Sequence, residues 1–326
     1  MDTCVILAAG KGKRFKSKTS KLLYPIMGKP LLEWTIEATS SFKKRIFVLG
    51  YQKDEVGKFV RKNGRIVIQD ELLGTGDALL RTKSYIDEDD FLVVPGDVPL
   101  VSKTTLKRLT NLHKKEHPSA TILAVRKKDP SGYGRIIQSN GKIKIVEEKD
   151  ANEKERKINL VNTGIYCFKT KDVFERLNLL DKNNVQGEYY LTDVFETLPS
   201  ISLLEIDDEI EVMGINTREE LAFAEGIIRQ RISKRLMENG VSIKDPSSVY
   251  IEENVKIGRD TVIFPYTFIL GKTKVGECCT IGPYSFIENA KIGDGAKIVA
   301  SFVCSSTIDK GCNIEPYSYI IKGVCK

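Results

Sequence analysis

From Ile257 the chain sets an aliphatic residue at every sixth position, through Ile263, Ile269, Val275, Ile281 and Ile287, with Val255 just before the run. Glycine follows several members of the series or its continuation, in Ile257-Gly258, Val275-Gly276, Ile281-Gly282 and Ile292-Gly293. A step of six is neither the helical period nor the alternation of an ordinary strand. It suits a left-handed parallel β-helix, in which three hexads close one coil and the aliphatic position points into a stacked prism. The stretch from Ile298 to Ile320 continues the pattern less regularly, which gives an expectation of about four coils within residues 241–326.

Residues 1–216 have a different texture. Short apolar runs (Cys4 to Leu7, Ile46 to Leu49, Ile66 to Ile68, Phe91 to Val94 and Thr121 to Val125) alternate with helical patterns. That alternation predicts an α/β domain, a sheet covered by helices. Between the two lies a linker helix, expected over 217–240. Thr217 and Glu220 form a capping box, apolar residues recur from Leu221 to Leu236, and Gly240 stands where a helix stops.

At 326 residues the chain has material for about two domains. Its net charge of +7 comes from 51 basic and 44 acidic residues that are interspersed, so anionic small molecules account for it and nucleic acid is not required. No apolar run approaches the roughly 18 residues of a spanning helix, and no signal pattern opens the chain, so a cytoplasmic protein without membrane contact is expected. The seven cysteines show no C-x-x-C pair, which favours reduced thiols over a disulfide framework or a zinc site. His113 and His117, four apart, read as a solvated helix end.

The first apolar run breaks into Ala8-Ala9-Gly10-Lys11-Gly12-Lys13-Arg14, followed by Lys21-Leu22-Leu23 and Gly28-Lys29-Pro30. Glycines let backbone N–H groups approach an anion, while Arg14 and Lys21 add cationic charge. Such a loop is a candidate phosphate cradle, although a plain strand-to-helix turn with solvated lysines would share its glycines. A second candidate feature is Phe91-Leu92-Val93-Val94-Pro95-Gly96-Asp97, where an apolar strand delivers a carboxylate to the end of the sheet. Open α/β sheets place ligands there. Asp97 is the first choice of metal ligand, and Asn216, at what reads as another strand end, is the second. Two oxygens suit magnesium, which keeps waters and substrate phosphates in its remaining positions.

Taken together, these segments and several others resemble the bacterial N-acetylglucosamine-1-phosphate uridylyltransferases, the N-terminal part of bifunctional uridylyltransferase/acetyltransferases that make the cell-wall precursor UDP-N-acetylglucosamine. The matching segments also include Gln69 with Leu73-Gly74-Thr75-Gly76, Gly132-Tyr133-Gly134-Arg135, Ile145 to Ala151, Asn162-Thr163-Gly164, Gln186 to Asp193 and Gly214-Ile215-Asn216. The resemblance implies a uridylyl transfer from UTP to N-acetylglucosamine 1-phosphate with Mg2+. Arg14 and Lys21 would be catalytic, and Asp97 and Asn216 would hold the metal. Leu7, Ala8, Ala9 and Gly10 would line the nucleotide pocket, with Gln69, Gly74 and Thr75 on the uracil. Gly134, Glu147 and Asn162 would bind the sugar, and Tyr190 and Thr192 would lie near its acetyl group.

The chain departs from the family pattern at Ser20, usually proline, at Leu72, often glutamine, at Asp77, often histidine, and at Pro95, often tyrosine. Its β-helix region contains no histidine. The family's acetyltransferase base is therefore expected to be missing, and a short β-helix would serve a homotrimer instead. Uridylyl or thymidylyl transfer to another sugar phosphate, such as glucose 1-phosphate, and a non-catalytic scaffold are the competing readings.

Overall fold

The computed structural model describes residues 1–139 and 141–325. They divide into two compact units, one of Met1–Tyr24 with Pro30–Glu220, the other of Pro25–Lys29 with Leu221–Lys326. No helix among the described residues is long and apolar enough to cross a membrane.

The first unit is built on a nine-stranded mixed sheet. Strand Thr3–Ala8 lies parallel between Lys44–Leu49 and Asp90–Pro95, and Arg65–Ile68 extends the sheet beyond Lys44–Leu49. Leu160–Lys169 runs antiparallel to Asp90–Pro95 and to Ala120–Arg126, and Ile201–Ile206 completes the far edge. The central strands are apolar on both faces, as covered strands must be: Val5, Ile6, Phe91, Leu92, Val93 and Val94 are fully buried. The parallel strands all end on one edge, which gathers Ala8, Gly50, Gln69 and Asp97. The long strand Leu160–Lys169 shifts register between Asn162 and Tyr166, and a hairpin of Arg135–Ser139 and Lys142–Val146 is joined to it at Val161.

Two sequence expectations change here. Val212 to Asn216 is not a strand; it is irregular chain that Ile215 N ties to Asp97 O at 2.9 Å. His113 is not solvated. It is 1% exposed, with Nδ1 at 2.8 Å from Thr121 Oγ1 and Nε2 at 3.3 Å from Asp90 Oδ1, and burial lowers its pKa. His117 alone matches the solvated reading.

The helix Arg218–Glu238 opens with the capping box: Glu220 N donates to Thr217 Oγ1 at 3.1 Å, and Thr217 N to Glu220 Oε2 at 2.8 Å. In the second unit, strands of two or three residues form three parallel sheets of five strands each, the faces of a left-handed β-helix. There are thus five rungs rather than the four expected, because Ser242–Ile243 already pairs with Val262–Ile263. The weakening of the six-residue period has a geometric cause. Ile263 to Ile281 is a step of eighteen, Ile281 to Ile298 seventeen and Ile298 to Ile314 sixteen, so the corners shorten while the faces stay in register.

The inward residues Ile263, Ile269, Ile281, Ile287 and Ile298 are fully buried. Truncating such a side chain leaves a cavity that stacked coils cannot collapse. Ile281→Ala is expected to destabilise the protein by about 2–5 kcal/mol, read from urea unfolding; a change under about 1 kcal/mol would contradict close packing of the prism.

Candidate functional site

The loop after the first strand closes on itself. Gly12 adopts φ 57°, and a Cβ there would stand 3.1 Å from Lys21 Cδ, so both conformation and close approach call for glycine. The stem of Lys21 crosses this point and delivers its ammonium to three acceptors: Asp97 Oδ2 at 2.5 Å, the Ile215 carbonyl at 2.8 Å and Asn216 Oδ1 at 2.9 Å. Three protons meet three oxygens. The Lys21 side chain is 9% exposed and that of Asp97 23%, so the pair is largely shielded from solvent.

Sequence reasoning brought Asp97 and Asn216 together, and the structure places both oxygens on one cationic point. Sequence reasoning also assigned Arg14, with Lys21, to the phosphates; Arg14 lies exposed on the short helix Lys13–Phe15. A converging carboxylate and amide oxygen is a donor set that a hard divalent cation accepts when phosphates and water fill its other positions. Among the described residues no group of three or more His, Cys, Asp or Glu side chains offers a fuller cage.

At the end of the strand Arg65–Ile68, Gln69 is 2% exposed. Its Nε2 donates to Gly74 O at 2.9 Å and to Asp77 Oδ2 at 2.8 Å, so both amide N–H groups are used within the protein. Leu72 packs where a side chain on Gly50 would stand, next to Ala9. Gly74 has φ 113°, with Tyr189 O 2.5 Å from the position of a Cβ. The Leu73 to Gly76 segment then pairs with 189–191: Tyr189 N donates to Leu73 O at 2.7 Å, Gly76 N to Tyr189 O at 2.8 Å, and Leu191 N to Thr75 Oγ1 at 3.1 Å.

That pairing sets the next residue, Thr192, whose Oγ1 donates to Glu147 Oε1 at 2.9 Å. Ile145 Cγ2, Glu147 Oε2 and Asn162 Cβ close in on Gly134, at 3.1, 3.4 and 3.6 Å from where its Cβ would be. Asn162 Oδ1 accepts from Tyr166 OH at 2.9 Å and Gly164 N at 3.2 Å, so its amide N–H groups are the ones turned away from those partners. Gly134, Glu147, Asn162 and Thr192 therefore form one cluster. Burial pushes the Glu147 carboxyl up, against the Thr192 hydrogen bond that favours the carboxylate. Tyr190 is 6% exposed and its OH accepts from Gln186 Nε2 at 2.8 Å; burial raises its pKa to about 12.

Two contributors escaped sequence reasoning. Asp77 binds the Gln69 amide. Arg218 lays its guanidinium over Phe15 at 4.1 Å and Tyr24 at 4.0 Å, clasping both ends of the Lys21 loop. A signal for Arg218 existed, since a cation in the first turn of a helix opposes the dipole and needs another reason to be there.

The family model of the MobA-like NTP transferase domain matches residues 4–189, and that of the bacterial transferase hexapeptide (six repeats) matches 254–289. Bifunctional protein GlmU of Fervidobacterium nodosum is 43% identical over 320 residues, covering 98% of this chain and 71% of the relative. GlmU of Acetivibrio thermocellus is 44% identical over 329 residues, with the same coverage of 98% and 71%. Among solved structures, a UDP-glucose pyrophosphorylase complexed with UDP-glucose superposes with TM-score 0.58 at 21% identity, over 71% of this chain and 99% of that one. An inositol-1-phosphate CTP transferase from T. maritima gives 0.54 at 16% identity, over 68% and 91%. These two likenesses bear on the fold alone.

The acidic surroundings of Thr192 supply a pH test. Burial, then the charges of Glu196 and Glu147, push Asp193 up to about 6 from an ordinary 3.8. A carboxyl that binds its proton more tightly when folded adds stability below pH about 4 that is lost as pH rises through about 6. Asp193→Asn should flatten the melting temperature over that window and raise it at pH 7; parallel curves for both proteins would contradict the assignment.

Proposed function

The chain belongs to the GlmU family, and from that membership we propose that it catalyses attack of N-acetylglucosamine 1-phosphate on UTP, forming UDP-N-acetylglucosamine and pyrophosphate. The observation that carries this reading is the convergence of Asp97 Oδ2 and Asn216 Oδ1 on one cationic point beside the glycine loop. The Glu147, Asn162 and Thr192 cluster supports the sugar half of it.

In this reading a sugar-phosphate oxygen forms a bond to the α-phosphorus of UTP as the bond to the pyrophosphate oxygen breaks. The nucleophile is already anionic, so no residue has to remove a proton, and positioning plus charge neutralisation supply the acceleration. Backbone N–H groups of the Ala8 to Gly12 loop approach the phosphates, and Arg14 and Lys21, the latter by turning its ammonium from the Asp97 and Asn216 oxygens that hold it in this structure, hold negative charge as pyrophosphate departs. Asp97 and Asn216 would hold Mg2+, which neutralises phosphate charge when bound. Gln69, Gly74 and Thr75 receive the uracil at the pocket lined by Leu7, Ala8, Ala9 and Gly10. The Glu147 carboxylate accepts from sugar N–H or O–H groups, and the Asn162 amide donates; Gly134 lets these two side chains approach its backbone closely, and Tyr190 and Thr192 border the acetyl group.

These 326 residues contain histidine only at 113 and 117, and His113 is buried with both ring nitrogens engaged. We accordingly assign this chain uridylyl transfer and no acetyl transfer to glucosamine 1-phosphate. Enzyme-dependent thiol release from acetyl-coenzyme A in the presence of that amine would refute the assignment.

Pyrophosphate release across a panel of nucleotides and sugar phosphates tests the main reading, which falls if another pair is used better. Asp97→Asn should lower turnover by at least about a hundredfold with the fold retained, since it removes the ligand charge; near-normal turnover would sink the metal assignment. Assembly is part of the proposal. One prism face carries stacked Tyr250, Phe268, Phe286, Phe302 and Tyr319, with Phe268 45% and Tyr319 72% exposed. Such an apolar stripe favours a homotrimer packed through the prism, and light scattering that returned a monomer at micromolar concentration would contradict it.

A further inference from the structure

We propose that Asp77 is a specificity-determining residue of the base pocket: it fixes the Gln69 amide with its carbonyl oxygen toward the base, selecting nucleobases that carry N3–H. The inference rests on the nucleotide site proposed above and goes beyond it by naming what discriminates between pyrimidines.

The Gln69 Nε2 group is held by two partners, Gly74 O at 2.9 Å and Asp77 Oδ2 at 2.8 Å. A carbonyl and a carboxylate only accept. Turning the amide over would set its own oxygen against both, so its orientation follows from chemistry rather than from fit. Asp77 is itself anchored, because the same Oδ2 accepts from Arg81 Nε at 2.9 Å, and its side chain is 14% exposed. Gly74 is anchored as well, its backbone wedged against Tyr189. What Gln69 retains for a ligand is Oε1, which accepts nothing among the described residues. Leu72, beside Gly50 and Ala9, adds an apolar contact and no polar group.

Gln69 and Leu72 thus offer a base one polar function, and it is an acceptor. Uracil and thymine present N3–H to it. Cytosine presents a bare N3 lone pair, which leaves two acceptors facing each other at a side chain only 2% exposed. Asp77 touches no substrate in this arrangement; it acts through Gln69 and is a positioning residue.

The test compares kcat/KM for UTP, 5-methyl-UTP and CTP on the whole protein, with N-acetylglucosamine 1-phosphate and magnesium. The unmodified enzyme should prefer UTP and 5-methyl-UTP to CTP by at least about a hundredfold. Asp77→Ala should narrow the UTP to CTP ratio by at least about fivefold, chiefly through a lower KM for CTP. Asp77→Asn, which can keep an acceptor oxygen in place, should retain most of the preference. A ratio taken on one protein sample cancels any misfolded fraction. The proposal is overturned if Asp77→Ala leaves the ratio unchanged, if Asp77→Asn behaves like Asp77→Ala, or if the unmodified enzyme uses CTP as well as UTP. Were it to use none of the three, the proposed function itself would fall, whereas an unchanged ratio in an active enzyme removes only the role of Asp77.

Discussion

The site is organised by the Lys21 ammonium and its three oxygens. They join the loop after the first strand to the Gly96-Asp97 corner and to the irregular Ile215-Asn216 segment, parts of the chain 76 and 195 residues from the lysine. A surface ion pair contributes about 0–1 kcal/mol, but this one is shielded, satisfied at every proton and tied into backbone structure. Asp97 O accepts from Ile215 N, and Glu220 Oε2 accepts from the N–H groups of Asn216 and Thr217. Arg218, the next residue, grips Phe15 and Tyr24. The loop is thereby fixed at both ends by the segment that also carries Asn216.

Sheet topology explains why these groups meet. Four neighbouring parallel strands finish at one edge, so Ala8, Gly50, Gln69 and Asp97 form a row without further instruction from the sequence. The antiparallel strand Leu160–Lys169 has no such end there, and it joins the site by a register shift. Between Asn162 and Tyr166 the shift lets Gly164, at φ 76°, lie against the Pro95 ring while Asn162 faces Gly134 and Glu147. The price is a carboxylate, Glu147, in a poorly solvated position, with Thr192 supplying one hydrogen bond in return.

What the sequence disclosed follows physical lines. Periods and apolar runs are properties of a whole element, so the prism and the central strands were readable from them. Asp97 was readable because a strand of Phe91 to Val94 has to end somewhere, and its end is marked by Gly96-Asp97. The fifth rung was hidden because Ile243 stands eight residues before Ile251, off the six-residue step that runs on through Ile257. His113 was misread because spacing reports a shared face and not which face is inside; its partners Asp90 and Thr121 come from other strands. Long-range pairings of this kind, Lys21 with Asp97 among them, leave no local trace.

The departures from family pattern each have a local physical account. Ser20 replaces a proline yet sits at φ −53°, a value a proline ring would impose, and its Oγ accepts from Leu22 N at 3.4 Å. A hydrogen bond there does what ring closure does elsewhere, and Lys21 still leaves the turn in the required direction. Pro95 fills space against Gly164 with a rigid ring at the last strand position, 3.0 Å from where a Cβ would be. Leu72 sets an apolar group beside Gly50 and Ala9, and Asp77 holds the Gln69 amide so that its remaining acceptor is presented in one sense. The substitutions therefore alter how the pocket is held without touching Lys21, Asp97 or Asn216. Variation of this kind is expected where the chemistry depends on a few oxygens and one ammonium, because many side chains can hold the same backbone.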